Sequence, residues 1–562
     1  MSQVKGYECK HALYSAENTP KNVTPNHDII LIKEYVHYED GSKEPNIRIV
    51  KDFKRPFWIT KVAYRDHKEK KEWEDKDKLN YYETNQAQLP EAIKKALGLY
   101  TPRRGLRYLA QNPYLYGADI TPTAIIKRHY MDKYPECISE NEVAIIDIET
   151  DVIHGTDDPI LISVTSKSRA ICAVVDWFVK GIDNPEQAIK EHFEKRLPNI
   201  VKERGIDLEV YVGKTPLDLV EKTIGKCHEW KPDFLAAWNM NFDIPRILET
   251  IEKAGADASR IFSDPKVPKP FRRCYYKEGA SKKVKADGKE EPLHWTDRWH
   301  TLRTPASFYV VDQACVFRRM RIASGKEPSY KLDSILNKYL GVGKHKNDKA
   351  DEYKGLDWHV YMQKHEPLEY AAYNLFDCIS CELLDESPNV GDLRLSISMQ
   401  TGHSDYENFS SQPRRTVDDI HFLCLSLGKV IGTTSDEMKT EWDNKVVSRD
   451  DWIVTLPAYM VVDNGLRCIE ESSNIQTMIR VGAYDSDVTS AYPTGEDILN
   501  GSRETTIAEV SKIEGVLNEH QRNASINLTG GPINASEICM HTMKAPTFEQ
   551  LLKDIEKNGF CD

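Results

Sequence analysis

The apolar positions of this chain change their period from one region to the next. Around an Asp40-Gly41 pair, DIILIKEYVHYEDG and NIRIV predict two strands joined by a tight turn. Farther on, VAIIDIE, PILISVTS, FLAAWN and FYVVDQ read as strands, while IPRILETIEKAG, KLDSILNKYLG and LEYAAYNLFDCISCELL keep helical spacing. Strands and helices alternate over residues 139–388, which predicts a domain of α/β layers. Residues 1–138 read as a mixed α+β amino-terminal domain. Within it, KEKKEWEDKDK (68–78) mixes both signs densely and predicts an exposed helix or loop. Residues 389–470 are rich in turns and charge and read as a connector that packs back on the amino-terminal domain. Residues 471–562 hold one strand-and-turn motif, then polar sequence ending in a short amphipathic helix, PTFEQLLKDIEKNG. No internal repeat is present.

A length of 562 residues implies about three or four domains rather than one core. An apolar fraction of 40 % and a mean hydropathy of −0.57 fit an ordinary globular chain. No apolar run approaches the ~18–20 residues needed to span a bilayer, and MSQVKGYECKHALYS lacks a secretory core, so a cytoplasmic protein without a membrane role is expected. The 12 cysteines are scattered, which suits a reducing compartment; Cys378 and Cys381 read as buried helix residues rather than zinc ligands. A net charge of −12 argues against a protein that coats nucleic acid, yet it leaves room for local basic patches. One such patch spans positions 266–285, where Arg272, Arg273, Lys282 and Lys283 lie among Phe271, Tyr275 and Tyr276, with Glu278 the one acid. It reads either as a solvated hairpin or as a surface for phosphate contact and base stacking.

The chemistry begins with acids. In VAIIDIET, Asp147 and Glu149 leave the same face of a strand, while Ile146 and Ile148 point to the other. Two adjacent carboxylates repel on burial, and a hard divalent cation relieves that repulsion with oxygen ligands; the alternative is a strand end whose acids face solvent. In FLAAWNMNFDIPRILETI a strand leads through Asn239 into a helix expected to begin near Pro245, with Asp243 just before it. In Tyr373-Asn-Leu-Phe-Asp377, the i and i+4 positions share one helix face. Each element alone is weak evidence.

Taken in order, D-I-E, N-x-x-F-D and Y-x-x-x-D resemble the ribonuclease-H-like 3′→5′ exonucleases. That resemblance implies Asp147, Glu149, Asp243 and Asp377 as ligands of paired Mg²⁺ (or Mn²⁺) ions, Tyr373 as the residue aligning the attacking water, and Asn239 and Phe242 as walls of the terminal-nucleotide pocket.

From Asp487 the chain reads D-V-T-S-A-Y-P-T, similar to the family B polymerase palm motif D-x-x-S-L-Y-P-S. The resemblance implies metal binding at Asp487, triphosphate contact by the backbone around Ser490, and Tyr492 under the sugar. Ala491 departs from the usual Leu, which puts nucleotide selection in doubt; Asp485 has no assigned role in this reading, and the alternative takes Asp485-Ser-Asp487 as the D-x-D of the other palm metal motif, against which Tyr492-Pro493 speaks. Asp312, in VVDQACVFRRM, sits where the family has an Asp-bearing strand before a helix. The wider order resembles the T-even-type bacteriophage replicative DNA polymerases, in which a hairpin between the second and third nuclease motifs helps move primer strands. The family's K-x-x-x-N-S-x-Y-G and D-T-D-S motifs do not follow Asp487. The expected protein is therefore the proofreading half of a split polymerase in the cytoplasm of an infected bacterium, with a partial palm. It would bind primer-template, single-stranded DNA and deoxynucleoside triphosphates. A second polypeptide would complete palm, fingers and thumb, and a sliding clamp is a further candidate partner. The alternatives are a stand-alone editing exonuclease with a structural palm remnant, and a nucleic-acid-binding regulator with an inactive nuclease fold.

Overall fold

The computed structural model describes residues 3–434 apart from 22, 69, 101–104, 285–288, 323–324, 342–351 and 399–401. Everything described belongs to one compact unit, Met1–Met438. Asp485, Asp487, Ser490, Ala491 and Tyr492 lie outside the described residues. Among the described residues, no helix is long and apolar enough to cross a membrane.

The chain opens with an antiparallel meander of β1 (Val4–Ala16), β2 (Asp28–Tyr38) and β3 (Lys43–Lys51). Gly41 takes a φ of +83° in the predicted turn, a conformation open to glycine at no steric cost, and the Asp40 side chain accepts from the Ser42 amide. β4 (Arg55–Thr60), β5 (Trp73–Asp75), β6 (Leu79–Thr84), α1 (Leu89–Leu97), α2 (Leu106–Leu109), β7 (Leu115–Tyr116) and α3 (Pro122–Lys133) complete this part. Segment 68–78 keeps the expected helix or loop in part, with a 3-10 turn at Lys76–Lys78, and departs from it at one strand. It contains β5, paired with β18 (Lys429–Ile431), and Glu74 is buried between Lys71 and Lys78. Strand pairing with a remote segment and two lysine partners let a highly charged stretch pack.

An eight-stranded mixed sheet forms the centre, in the order β11-β10-β9-β8-β12-β17-β16-β13. Its strands are β8 (Val143–Thr150), β9 (Pro159–Ser166), β10 (Arg169–Val175), β11 (Asp207–Gly213), β12 (Phe234–Ala237), β13 (Tyr275–Lys277), β16 (Thr301–Arg303) and β17 (Tyr309–Asp312). β8 runs antiparallel to β9 and parallel to β12, and β12 runs parallel to β17. Helices α4 (Pro185–Arg196), α5 (Pro198–Arg204), α6 (Pro216–Trp230), α7 (Met240–Lys253), α8 (Ala258–Phe262), α9 (Gln313–Met320), α10 (Leu332–Leu340), α11 (Leu356–His365) and α12 (Pro367–Glu386) belong to the same α/β unit. Both faces of β8 are covered: Ala144, Ile146 and Ile148 join one apolar cluster, and Val143 and Ile145 join another. That double burial is why the strand reads as a nearly continuous apolar run. The short hairpin of β14 (Lys282–Val284) and β15 (Glu290–Pro292) stands as a separate two-stranded ribbon.

Helix α7 begins at Met240, not near Pro245. The Met240 amide donates to Asp312 Oδ2 at 2.9 Å, so a side chain from β17 caps the helix from outside its own sequence. Pro245 consequently sits inside the helix, and Asp243 belongs to the first turn.

Candidate functional site

The acids of β8 meet α12 across the sheet. Asp147 Oδ2 accepts from Asn374 Nδ2 at 2.6 Å. Glu149 Oε2 accepts the Tyr370 hydroxyl, which also lies 2.8 Å from His359 Nδ1. His359 Nδ1 itself stands 3.6 Å from the same carboxylate oxygen. Gln363 ties α11 to the end of β8, donating to the Thr150 carbonyl at 2.8 Å and accepting from the Val152 amide at 3.3 Å. Burial and the adjacent Glu149 charge push the Tyr370 phenol far up, so it is a permanent donor.

Asp243 is fully buried in the first turn of α7. Burial raises its pKa well above the usual range, and the nearby Asp312 and Glu149 carboxylates add to the rise against the Ile148 amide. Asp312 is itself pushed up to about 7 by burial, opposed by the Cys315 and Met240 amides it accepts. Asp377 is buried one turn beyond Tyr373 on α12. Its neighbour Cys378 is a buried thiol raised by burial and by the Asp147 and Asp377 charges together, so both acids lie within its electrostatic reach. Cys381 is likewise buried, as expected for a helix core position.

The predicted acids therefore lie on β8, α7 and α12, with Asp243 within electrostatic reach of Glu149. Among the described residues, however, no group of three or more His, Cys, Asp or Glu side chains is arranged to hold a metal ion. Asp147 and Glu149 are instead engaged by the neutral partners Asn374 and Tyr370. Tyr373 is buried, stacked on Tyr370 with ring centroids 6.1 Å apart and packed against Trp358 at 4.9 Å. Tyr370, Asn374 and His359 were not among the predicted site residues. The spacing Tyr370, Asn374, Asp377 follows i, i+4, i+7 on one helix, and that periodicity was the available signal.

At the rim, Asn239 is exposed and caps α7 with its backbone, its carbonyl accepting from the Phe242 amide at 2.9 Å. Phe242 is 41 % exposed, a large aromatic face held in solvent, with the Arg246 guanidinium 5.3 Å from its ring centroid. Tyr276 on β13 reaches this rim, donating to Asn241 Oδ1 at 2.6 Å.

The basic segment is more neutral than its composition suggests. Lys282 pairs with Glu290 at 2.7 Å, and Lys283 stands opposite Glu291 in the β14–β15 ladder. Arg272 donates to the carbonyls of Val267 and Pro265, and Arg273 to that of Ala16. The acids that balance the two lysines come from the return strand, beyond the window that looked basic. No protein-family model matches this chain, and no curated protein matches it.

Proposed function

We propose that this unit is a divalent-metal-dependent 3′→5′ exonuclease acting on single-stranded DNA ends, the proofreading part of a DNA polymerase. The observation that carries the reading is that Asp243 of α7 is buried beside Glu149 of β8 and Asp312, while Asp147 of β8 and Asp377 of α12 both act on the Cys378 thiol. The four predicted acids come from the element types that the ribonuclease-H-like resemblance requires: a central strand, the first turn of the helix after a parallel neighbour, and a late helix laid across them. The donor set suits a hard cation in kind, being all carboxylate oxygen. Asp243, driven towards its neutral form beside Glu149 and Asp312, carries the repulsion that a cation relieves. Asp147, Glu149, Asp243 and Asp377 would hold Mg²⁺ or Mn²⁺, and such ions supply an activated water and stabilise the leaving oxygen of a phosphodiester.

The chain's own residues orient the rest. Exposed Phe242 offers a stacking face for a terminal base, and Arg246 above it places a cation beside the same base. Tyr370 and His359 fix Glu149 from one side, and Asn374 fixes Asp147 from the other. The test is hydrolysis of 5′-labelled single-stranded DNA in Mg²⁺ or Mn²⁺ against EDTA. A ladder shortening from the 3′ end and abolished by EDTA is expected; internal cleavage, or no cleavage, would overturn the reading.

Tyr370→Phe removes the hydroxyl while keeping the ring that packs on Tyr373. Loss of a side chain that orients a ligand is expected to slow hydrolysis by roughly 10–100-fold. Single-turnover rates at saturating Mn²⁺ check this, and an unchanged rate would remove Tyr370 from the site.

The polymerase half of the proposal rests on D-V-T-S-A-Y-P-T and on the order of the other motifs. Primer extension by the chain, alone and with a polypeptide carrying fingers and thumb, tests it. Extension that survives Asp487→Ala would leave the editing nuclease alone standing.

A further inference from the structure

One buried carboxylate holds two helices that follow neighbouring strands. Asp312 ends β17, and the register places it opposite Ala237, the last residue of β12. It is 2 % exposed. Its Oδ1 accepts from the Cys315 amide at 2.9 Å, the local cap of α9, and its Oδ2 accepts from the Met240 amide at 2.9 Å, at the start of α7. Its partners are amides rather than a cation. Burying a carboxylate is costly, and a neutral hydroxyl would cap α9 as well. The second oxygen is what serves the other helix.

Helix α7 needs that bond. Its N-cap, Asn239, gives the first turn no side-chain hydrogen bond. The Asp243 amide stands 3.5 Å from the Asn239 carbonyl, beyond ordinary hydrogen-bonding distance, while the Phe242 amide takes the same carbonyl at 2.9 Å. Pro245 has no amide hydrogen to give the Asn241 carbonyl. The first turn is therefore weakly closed from within, yet it carries Asp243 and, beside it, exposed Phe242. The Asp243 carboxylate in turn accepts the Ile148 amide, between Asp147 and Glu149 on β8. A slip of one residue along α7 would carry Asp243 about 1.5 Å along the axis and about 100° around it. Metal sites tolerate about 0.2 Å.

We infer that Asp312 is a positioning residue for the acid site: its Oδ2 fixes the start of α7 and so sets Asp243 against β8. The inference rests on the proposed metal-dependent reading. It concerns the placement of a ligand, not contact with substrate or ion.

Asp312→Ser in the full chain separates the two duties. Its single oxygen keeps the local cap of α9 and leaves the Met240 amide without its acceptor. In EDTA, hydrogen exchange read by mass spectrometry should quicken about tenfold in peptides covering 239–246 and stay unchanged in those covering 313–320. Mn²⁺ affinity, followed by electron paramagnetic resonance without DNA, should fall by about 10–100-fold, the usual cost of losing a residue that orients a ligand. Asp312→Thr carries the same oxygen on a bulkier stem and should behave alike, and circular dichroism verifies that each variant is folded. Thr121→Ala, which removes the side-chain cap of α3, should leave both measurements unchanged. A native chain that neither binds Mn²⁺ nor hydrolyses DNA would overturn the metal-dependent reading and this inference with it. A native chain that does both, with Mn²⁺ affinity unchanged in the two Asp312 variants, overturns the inference alone and leaves Asp312 a structural cap.

Discussion

Asp147→Ala is expected to reduce metal-dependent hydrolysis of single-stranded DNA by at least about 1000-fold, while leaving the fold intact or slightly stabilised. The two halves of this expectation have one cause. Asp147 sits among acids: Asp377 and Asp147 both act on Cys378, and Asp243 is pushed up by burial and by Asp312 and Glu149. A protein gains nothing structurally from crowding carboxylates on a covered strand, so deleting one relieves repulsion. If the acids serve the proposed hydrolysis, activity and stability should move in opposite directions. Hydrolysis rates and thermal melts of Asp147→Ala and Asp243→Asn, measured side by side, check this. Loss of both activity and stability would make the acids structural, and retained activity would remove them from catalysis. Asn374→Ala, which takes away only the amide that holds Asp147 Oδ2, should cost less than the loss of the acid itself.

Local pattern carried the strand and helix that bear Asp147, Glu149 and Asp377, because their environment is written nearby. VAIIDIET is a strand with both faces covered, and the apolar residues on either side of the acids record that. Tyr373 and Asp377 lie on a helix whose spacing is visible in the sequence. What local pattern missed was set by distant segments. The start of α7 depends on Asp312, whose carboxylate reaches the Met240 amide from another strand, so the nearby Pro245 was a misleading punctuation mark. Trp73–Asp75 becomes a strand only because Lys429–Ile431 returns to pair with it. The partners of the acids, Tyr370 and Asn374, share α12 with Asp377, yet only packing against β8 singles them out from the other buried residues of that helix.

The second large effect is expected at Asp233, a residue with no part in the acid site. Lys33 and Asp233 are both fully buried and paired at 2.6 Å, with Lys33 Nζ also donating to the Lys231 carbonyl. Asp233 Oδ2 accepts from the Glu142 amide at 2.6 Å, and the Asp233 carbonyl accepts from the Tyr309 amide at 2.9 Å. One residue thus ties β2 of the meander to the start of β8 and to β17 of the central sheet. Burial pushes the Asp233 carboxyl up, but Lys33, Lys10 and His11 outweigh it and hold the pKa below the usual range. A depressed carboxyl contributes stability that is present above its unfolded pKa and lost as pH falls through the folded one, so the Asp233 contribution is lost in acid; burial in turn lowers the Lys33 pKa, so its ammonium is given up early as pH rises. At neutral pH, Asp233→Ala leaves an ammonium buried without its charge partner and should destabilise the protein by about 3–5 kcal/mol. Lys33→Met with Asp233→Ala removes the stranded charge as well, so the double variant should be more stable than Asp233→Ala alone. Denaturant melts of both single variants and the double variant give the coupling directly. Additive losses would mean that the pair is not the joint between the two sheets, and that the meander is held by its apolar contacts alone.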